Sequence, residues 1–174
     1  MAREVILVDE HDRPVGRREK LLAHQRGELH RAFSVFLFDS AGRWLLQRRH
    51  TSKYHSGGLW TNTCCSHPAP GEETGAAARA RLWEEMGIDA PLEPLFQFTY
   101  RAAFDNGLIE HELDHVFAGT FDGSPKPDPT EVSDWRWVET VDLLRELDVY
   151  PENFTYWFRV AVEQVLMHQA SARR

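Results

Sequence analysis

Residues 31–38 read RAFSVFLF. Their apolar side chains first alternate and then run without a break, the pattern of a buried strand. The backbone N–H and C=O groups of such a strand need partners. Ser40-Ala41-Gly42 makes a turn into RWLLQRR, which reads as a partner strand ending in Arg48 and Arg49. Further strands are expected at residues 3–8 (REVILV), 95–103, 108–121 and in DWRWV. The alanines, Leu82 and closing Gly87 of EETGAAARARLWEEMG predict a helix over roughly 74–86 with a glycine C-cap. Thr140 or Asp142 starts a short helix. Pro151 opens the last one, with Phe154, Trp157, Phe158, Ala161 and Val165 at helical spacing. Residues 52–71, which include Gly57, Gly58, Pro68, Pro70 and Gly71, read as a long functional loop, and SPKPDP as a surface loop. Strands and helices mix without strict alternation, so the class is α/β or α+β with a mixed sheet. The 174 residues suit one domain, expected over 1–174.

Composition narrows the function. Apolar residues make up 42% and charged residues 27%, an ordinary soluble mixture. No apolar run approaches the roughly 20 residues that span a bilayer. The start MAREVILVDE lacks the shape of a signal peptide. A cytoplasmic protein without a membrane partner is expected. The net charge of −7 argues against nucleic acid as a partner, yet a local basic cluster can still hold a small anionic substrate. The two cysteines are adjacent, in TNTCCSHP at 61–68, and cannot build a disulfide framework. Nine histidines is a generous number for this length, and some are expected as ligands.

HELDH at 111–115 matches H-E-x-x-H, a zinc motif that works only on a helix. Here Gly107 and Gly119 bracket the segment, Ile109, Leu113 and Phe117 fall on even spacing, and VFAGTF continues as strand-like sequence. On a strand, Glu110, Glu112 and Asp114 face one way and His111 and His115 the other. Two carboxylates two residues apart can ligate one metal; a solvated acidic face is the alternative. His24 and His30 flank the start of the buried strand and His67 follows the cysteines. Three imidazoles with two carboxylates would suit Mn²⁺ or Zn²⁺.

A second group is Ser66 … Glu72 … Arg81-Leu82-Trp83-Glu84-Glu85-Met86-Gly87-Ile88. It resembles the Nudix signature G-x5-E-x7-R-E-U-x-E-E-x-G-U in degraded form. Ser66 stands for the leading glycine and Ala80-Arg81 for the Arg-Glu pair, whereas Glu72, Leu82, Glu84, Glu85, Gly87 and Ile88 fit. Acids at a helix C-terminus oppose its dipole, a hint of another purpose. Together with LHRAF, TSK…GGLWTNTCCSHP, FTYRA, LIEHELDHVF and Trp157, the chain resembles type I isopentenyl-diphosphate isomerases from about residue 4 to about 165.

That resemblance implies a Nudix-like mixed β-sheet sandwiched by helices. It implies one Mn²⁺ or Zn²⁺ per chain, held by His24, His30, His67, Glu110 and Glu112. It implies Mg²⁺ at Glu85 with a prenyl diphosphate substrate, whose phosphates Lys20, Arg49, Lys53 and Arg81 contact. Cys65 would be one acid/base, and Glu112 with Tyr100 the other. Where the family often has aromatic-Pro-Gly before Trp-Thr-Asn, this chain has Ser56-Gly57-Gly58.

The chemistry suits these residue types. Moving a double bond by one carbon adds one proton and removes another, which two titratable groups can do without redox chemistry. Trp157 reads first as core packing on an amphipathic helix; in an isomerase it would stabilise a cation-like state through its ring face. Neighbouring side chains of an extended loop point apart, so one cysteine faces the substrate. Cys65 is on the side of His67, and a nearby cation is expected to lower its thiol pKa. Two other readings compete. A Nudix-type diphosphate hydrolase needs box glutamates and water rather than a cysteine, and the altered Arg-Glu pair weighs against it. A non-enzymatic metal-binding module leaves Lys53, Arg81, Tyr100 and Cys65 without a role.

Overall fold

The computed structural model describes residues 3–172. The outermost positions of the expected 1–174 domain lie outside the described residues. The element order is β1 (Glu4–Val8), β2 (Pro14–Glu19), α1 (Lys20–Arg26), β3 (His30–Phe38), β4 (Trp44–Arg49), β5 (Trp60–Thr61), β6 (Cys64–Ser66), α2 (Thr74–Met86), β7 (Glu93–Ala103), β8 (Ile109–Thr120), β9 (Val132–Val138), α3 (Thr140–Val149) and α4 (Tyr156–Ala172). No helix among the described residues is long and apolar enough to cross a membrane.

β3 is the hub of one mixed sheet. It pairs antiparallel with β1, β4 and β6 and parallel with β8. β7 extends the sheet beyond β8, and β9 beyond β4. The continuous apolar run of β3 follows from cover on both faces. Phe36 and Phe38 pack with Trp157, Phe158, Ala161 and Val165 of α4. Phe33, Val35 and Leu37 pack with Ala78, Leu82 and Met86 of α2. Each fully buried side chain of this kind stabilises by roughly 1.5–3 kcal/mol.

Two expectations need correction, and two elements were not expected. The loop 52–71 contains two short strands, β5 and β6. β2 and α1 carry no strong apolar periodicity: PVGRRE is an edge strand with most positions exposed, and KLLAHQR has only Ala23 and His24 buried. Proline and arginines suit an edge that must not recruit another strand. Pro151 opens a single 3-10 turn, Pro151–Asn153, and α4 begins only at Tyr156. Phe154 therefore packs from the turn, and its backbone bridges to Trp60.

α2 runs over 74–86 as expected. Glu73 caps it by accepting from the backbone N–H groups of Gly75 and Ala76, and Gly87 ends it in the left-handed region at φ 64°. A Cβ at position 87 would lie 2.6 Å from the carbonyl oxygen of Lys126. Gly87→Ala is expected to destabilise the protein by about 1–3 kcal/mol, read from its urea midpoint.

Candidate active site

One cleft is lined by Arg3, Lys20, Arg49, Lys53, Tyr54, His55, Cys65, His67, Arg81, Glu85, Tyr100, Glu110, Glu112 and Trp157 among others. Seven elements deliver most of them, α1, β4, β6, α2, β7, β8 and α4, and the connecting segments the rest. β8 is a strand, so the protease-like reading of HELDH does not apply. Glu110, Glu112 and Asp114 are buried on its inner side, while His111 and His115 bond elsewhere, to the carbonyl of Gly27 and to Asp12.

Glu112 is the centre. Its Oε1 lies 2.7 Å from His67 Nε2, 3.4 Å from His30 Nε2 and 3.9 Å from His24 Nε2. Its Oε2 accepts from the Tyr100 hydroxyl at 2.6 Å. The carbonyls of Lys20 and Glu28 accept from Nδ1 of His24 and of His30, at 2.7 and 2.8 Å. That orients both rings and aims each Nε2 at the cluster. His24 Nε2, His30 Nε2 and His67 Nδ1 are buried without a hydrogen-bond partner. Burial drives His24 down to about 4 and His67 well below the usual imidazole range, so both stay neutral. Burial opposes the charge on Glu112, but His67 and His30 beside it hold its carboxyl well below the usual range. His30, by contrast, is raised by Glu112 against its burial. Three buried imidazoles around one carboxylate are a donor set that suits a divalent cation. The donor atoms of His24, His30, His67 and Glu112 all lie within 4.8 Å of one another, so this group can hold a metal.

Glu110 does not share that group. Its donor atom clusters with His24 and His55, and its carboxylate is held by His55 at 3.0 Å and by Tyr100 at 3.0 Å. Burial, with Glu110 and Glu112 alongside, raises the Tyr100 phenol well above its ordinary value, so it remains a donor.

The two cysteines part company on β6. Cys64 packs in the core against α2, and Cys65 lines the cleft. Burial pushes the Cys65 thiol up to about 12. Arg49, whose Nη1 is 3.8 Å from Sγ, opposes this and loses. Among the protein's own groups burial wins, and the thiol is neutral. The TNT segment supplies rigidity. Asn62 Nδ2 donates to the carbonyls of Val35 and Cys64, and its Oδ1 accepts from Trp157 Nε1 at 3.1 Å. Trp157 is 3% exposed, with the Arg49 guanidinium 5.2 Å from its ring centroid.

The cations of the cleft are partly paired. Arg81 reaches Glu84 at 2.9 Å and Glu85 and Glu131 at 3.0 Å each, and Lys53 also pairs with Glu131. Gln47 donates to the other oxygen of Glu85 at 3.0 Å. Burial and the neighbouring cations Arg3 and Arg49 lower Lys20 to about 8. Sequence reasoning missed His55, Glu131, Arg3, Gln47 and Asn62. His55 stood in the loop already read as functional and Asn62 in the TNTCCSHP stretch; nothing local marked the others.

A NUDIX domain matches residues 28–164. The fold is shared with a solved Deinococcus radiodurans protein, at TM-score 0.77 and 21% identity over 93% of this chain and 98% of that one. A MutT protein from Methanosarcina mazei shares it at TM-score 0.66 and 18% identity, over 84% of this chain and 96% of that one. Sequence relatives are nearer. Isopentenyl-diphosphate Delta-isomerase 2 of Aromatoleum aromaticum is 54% identical over 95% of this chain and 88% of its own. The isopentenyl-diphosphate Delta-isomerase of Pectobacterium atrosepticum is 52% identical over 93% and 90%. The chain belongs to the isopentenyl-diphosphate Delta-isomerase family of Nudix-domain enzymes.

Glu112→Gln removes the negative charge that faces three imidazoles. Divalent-metal affinity, measured by equilibrium dialysis with Mn²⁺, is expected to fall at least about tenfold.

Proposed function

We propose that this enzyme interconverts isopentenyl diphosphate and dimethylallyl diphosphate through proton addition and removal. The observation that carries the reading is the cleft itself. A neutral thiol, Cys65, and a Tyr100–Glu112 pair line one enclosed space together with Trp157 and five cationic side chains, Arg3, Lys20, Arg49, Lys53 and Arg81.

Lys20, Arg49, Lys53 and Arg81 bind the diphosphate, which competes with Glu131 for Lys53 and Arg81. Glu85 would hold Mg²⁺ with that diphosphate, and His24, His30, His67, Glu112 and Glu110 would hold Mn²⁺ or Zn²⁺. These ions supply charge neutralisation of the phosphates and an electrostatic anchor for the buried carboxylates. Arg81 and Gln47 orient Glu85 from opposite oxygens. The prenyl chain then lies between Cys65 and the Tyr100–Glu112 pair.

A proton added to the terminal methylene leaves a cation at the tertiary carbon. A proton lost from the carbon on its diphosphate side places the double bond there. Cys65 serves one of these positions and Glu112, with Tyr100 beside it, the other; in the reverse direction the group that gave a proton regains it and the group that took one returns it. Glu112 and Tyr100 are buried and Cys65 half-buried, which limits the access of water to the cation. The Trp157 face stabilises that cation by on the order of 2 kcal/mol when desolvated. Its indole N–H is tied to Asn62, which keeps the ring from turning.

Incubation with isopentenyl diphosphate, followed by proton NMR, tests the reading. Dimethylallyl diphosphate is the expected product; released inorganic phosphate would favour a hydrolase instead. Cys65→Ala is expected to abolish turnover with metal content intact, and Cys64→Ala to keep most of it, as Cys64 sits in the core.

Lys20 gives a pH dependence. With its pKa at about 8, it is charged below that pH and neutral above it. The value of kcat/KM, which reports the free enzyme, is expected to fall as pH rises through about 8. Lys20→Met should flatten that limb at a lower overall kcat/KM.

A further inference from the structure

His55 has a place in the cleft and no part in the scheme above. It is 8% exposed. Its ring stacks on Phe104, with centroids 4.7 Å apart and planes 10° from parallel, and meets Trp157 edge-on at 6.1 Å. Nδ1 turns to the Ser56 hydroxyl at 3.3 Å, whereas Nε2 faces inward, 3.0 Å from Glu110 Oε1. The loop is built to aim it there. Ser56 takes a left-handed φ of 54°, Gly58 follows at 79°, and a Cβ on Gly57 would come within 2.8 Å of the Thr51 carbonyl oxygen. A non-glycine residue in that region is retained only where its surroundings over-determine it. Asn106 holds the Tyr54 carbonyl at 2.7 Å from the other side.

The donor atoms of His55, Glu110 and His24 all lie within 4.8 Å of one another. Two donors on opposite sides of one ion stand about 4.4 Å apart when each bond is about 2.2 Å. The bound of 4.8 Å on the triad is close to the span of one coordination sphere. Its corner, His24 Nε2, is buried and unpartnered. The same nitrogen also belongs to the group of His30, His67 and Glu112. One lone pair serves one ion, so separate cations cannot fill the two groups. An ion on that lone pair faces both groups.

Resting on the metal-site reading above, we propose that His55 is a sixth protein ligand of that metal. It joins His24, His30, His67, Glu110 and Glu112. Six donors from the chain close an octahedral ion to solvent, as in a structural site, and leave no position for substrate. The ion then acts by holding Glu110 and Glu112. The loop that carries Lys53 is tied to it through His55, two residues on.

The test uses full-length protein stripped of metal and titrated with Mn²⁺ alone, with affinity and water-proton relaxivity as readouts. Wild type is expected to bind one ion tightly with the low relaxivity of an ion lacking inner-sphere water. His55→Ala should bind at least about tenfold more weakly and show raised relaxivity, as water enters the sixth position. His55→Gln preserves a donor for Glu110 without an imidazole and guards against misfolding of the alanine variant; it should remain weakened. Wild-type affinity and relaxivity in His55→Gln would reduce His55 to a hydrogen-bond partner of Glu110 and overturn the proposal. So would wild-type values in His55→Ala. A wild type that binds no Mn²⁺ would overturn the metal-site reading as well, a result distinct from either.

Discussion

The register of β8 against β3 is the constraint on which the cleft depends. His30 stands opposite Glu112 across the parallel pair, and Tyr100 stands opposite Glu112 across the antiparallel pair with β7. One rung of the sheet thus carries an imidazole, a carboxylate and a phenol side by side. Period-two alternation sends Glu110, Glu112 and Asp114 inward. A slip of one residue would bring His111 and His115 in and turn the acids out. The packing on both faces opposes the slip, since it would exchange Val116 and Phe117 between two cores shaped for different side chains.

A cleft so rich in ionisable groups is costly to bury, and the chain offsets that cost by pairing nearly everything. Glu112 meets imidazoles and a phenol. Arg81 meets three carboxylates. Asp114 accepts from Ser34 at 2.7 Å, and burial next to Glu112 raises its carboxyl well above the usual range, so it is neutral. The backbone breaks around β5 and β6 are filled by polar pins rather than by ladder bonds. Thr63 Oγ1 donates to the Leu45 carbonyl and accepts from Leu37 N–H, and Asn62 bridges three segments. The TNTCCSHP stretch is therefore a rigid mount for one thiol and one imidazole. Its threonines and asparagine matter through the positions they enforce.

Much of this was legible in the residues. β3, β4, α2 and β8 carry strong periodic signals because each is packed on a defined face, and their limits were read to within a few residues. β2 and α1 were missed because an exposed edge strand and a seven-residue helix with two buried positions leave little hydrophobic pattern. The gathering of His24, His30, His67 and Glu112 came from family resemblance, since no spacing rule links a helix, two strands and a loop. The place of Glu110 beside His55 was not readable, because it depends on how a glycine-bent loop folds over the sheet.

The parallel pairing of β3 with β8 also sets an order of events. Its partners are far apart in sequence: Ser34 and Asp114, which hydrogen-bond across it, are 80 positions apart. Non-local pairings of this kind form slowly, because chain entropy is lost before contacts are gained. During synthesis from the N-terminus, His24, His30 and His67 emerge well before the strand that bears Glu112. A nascent chain halted between them presents imidazoles without their carboxylate and a β3 edge without its neighbour. Such an intermediate is exposed to mispairing along that open edge. Completion of β8 is thus the step at which the growing polypeptide stops being adhesive and acquires its ligand set, both through the same row of backbone hydrogen bonds.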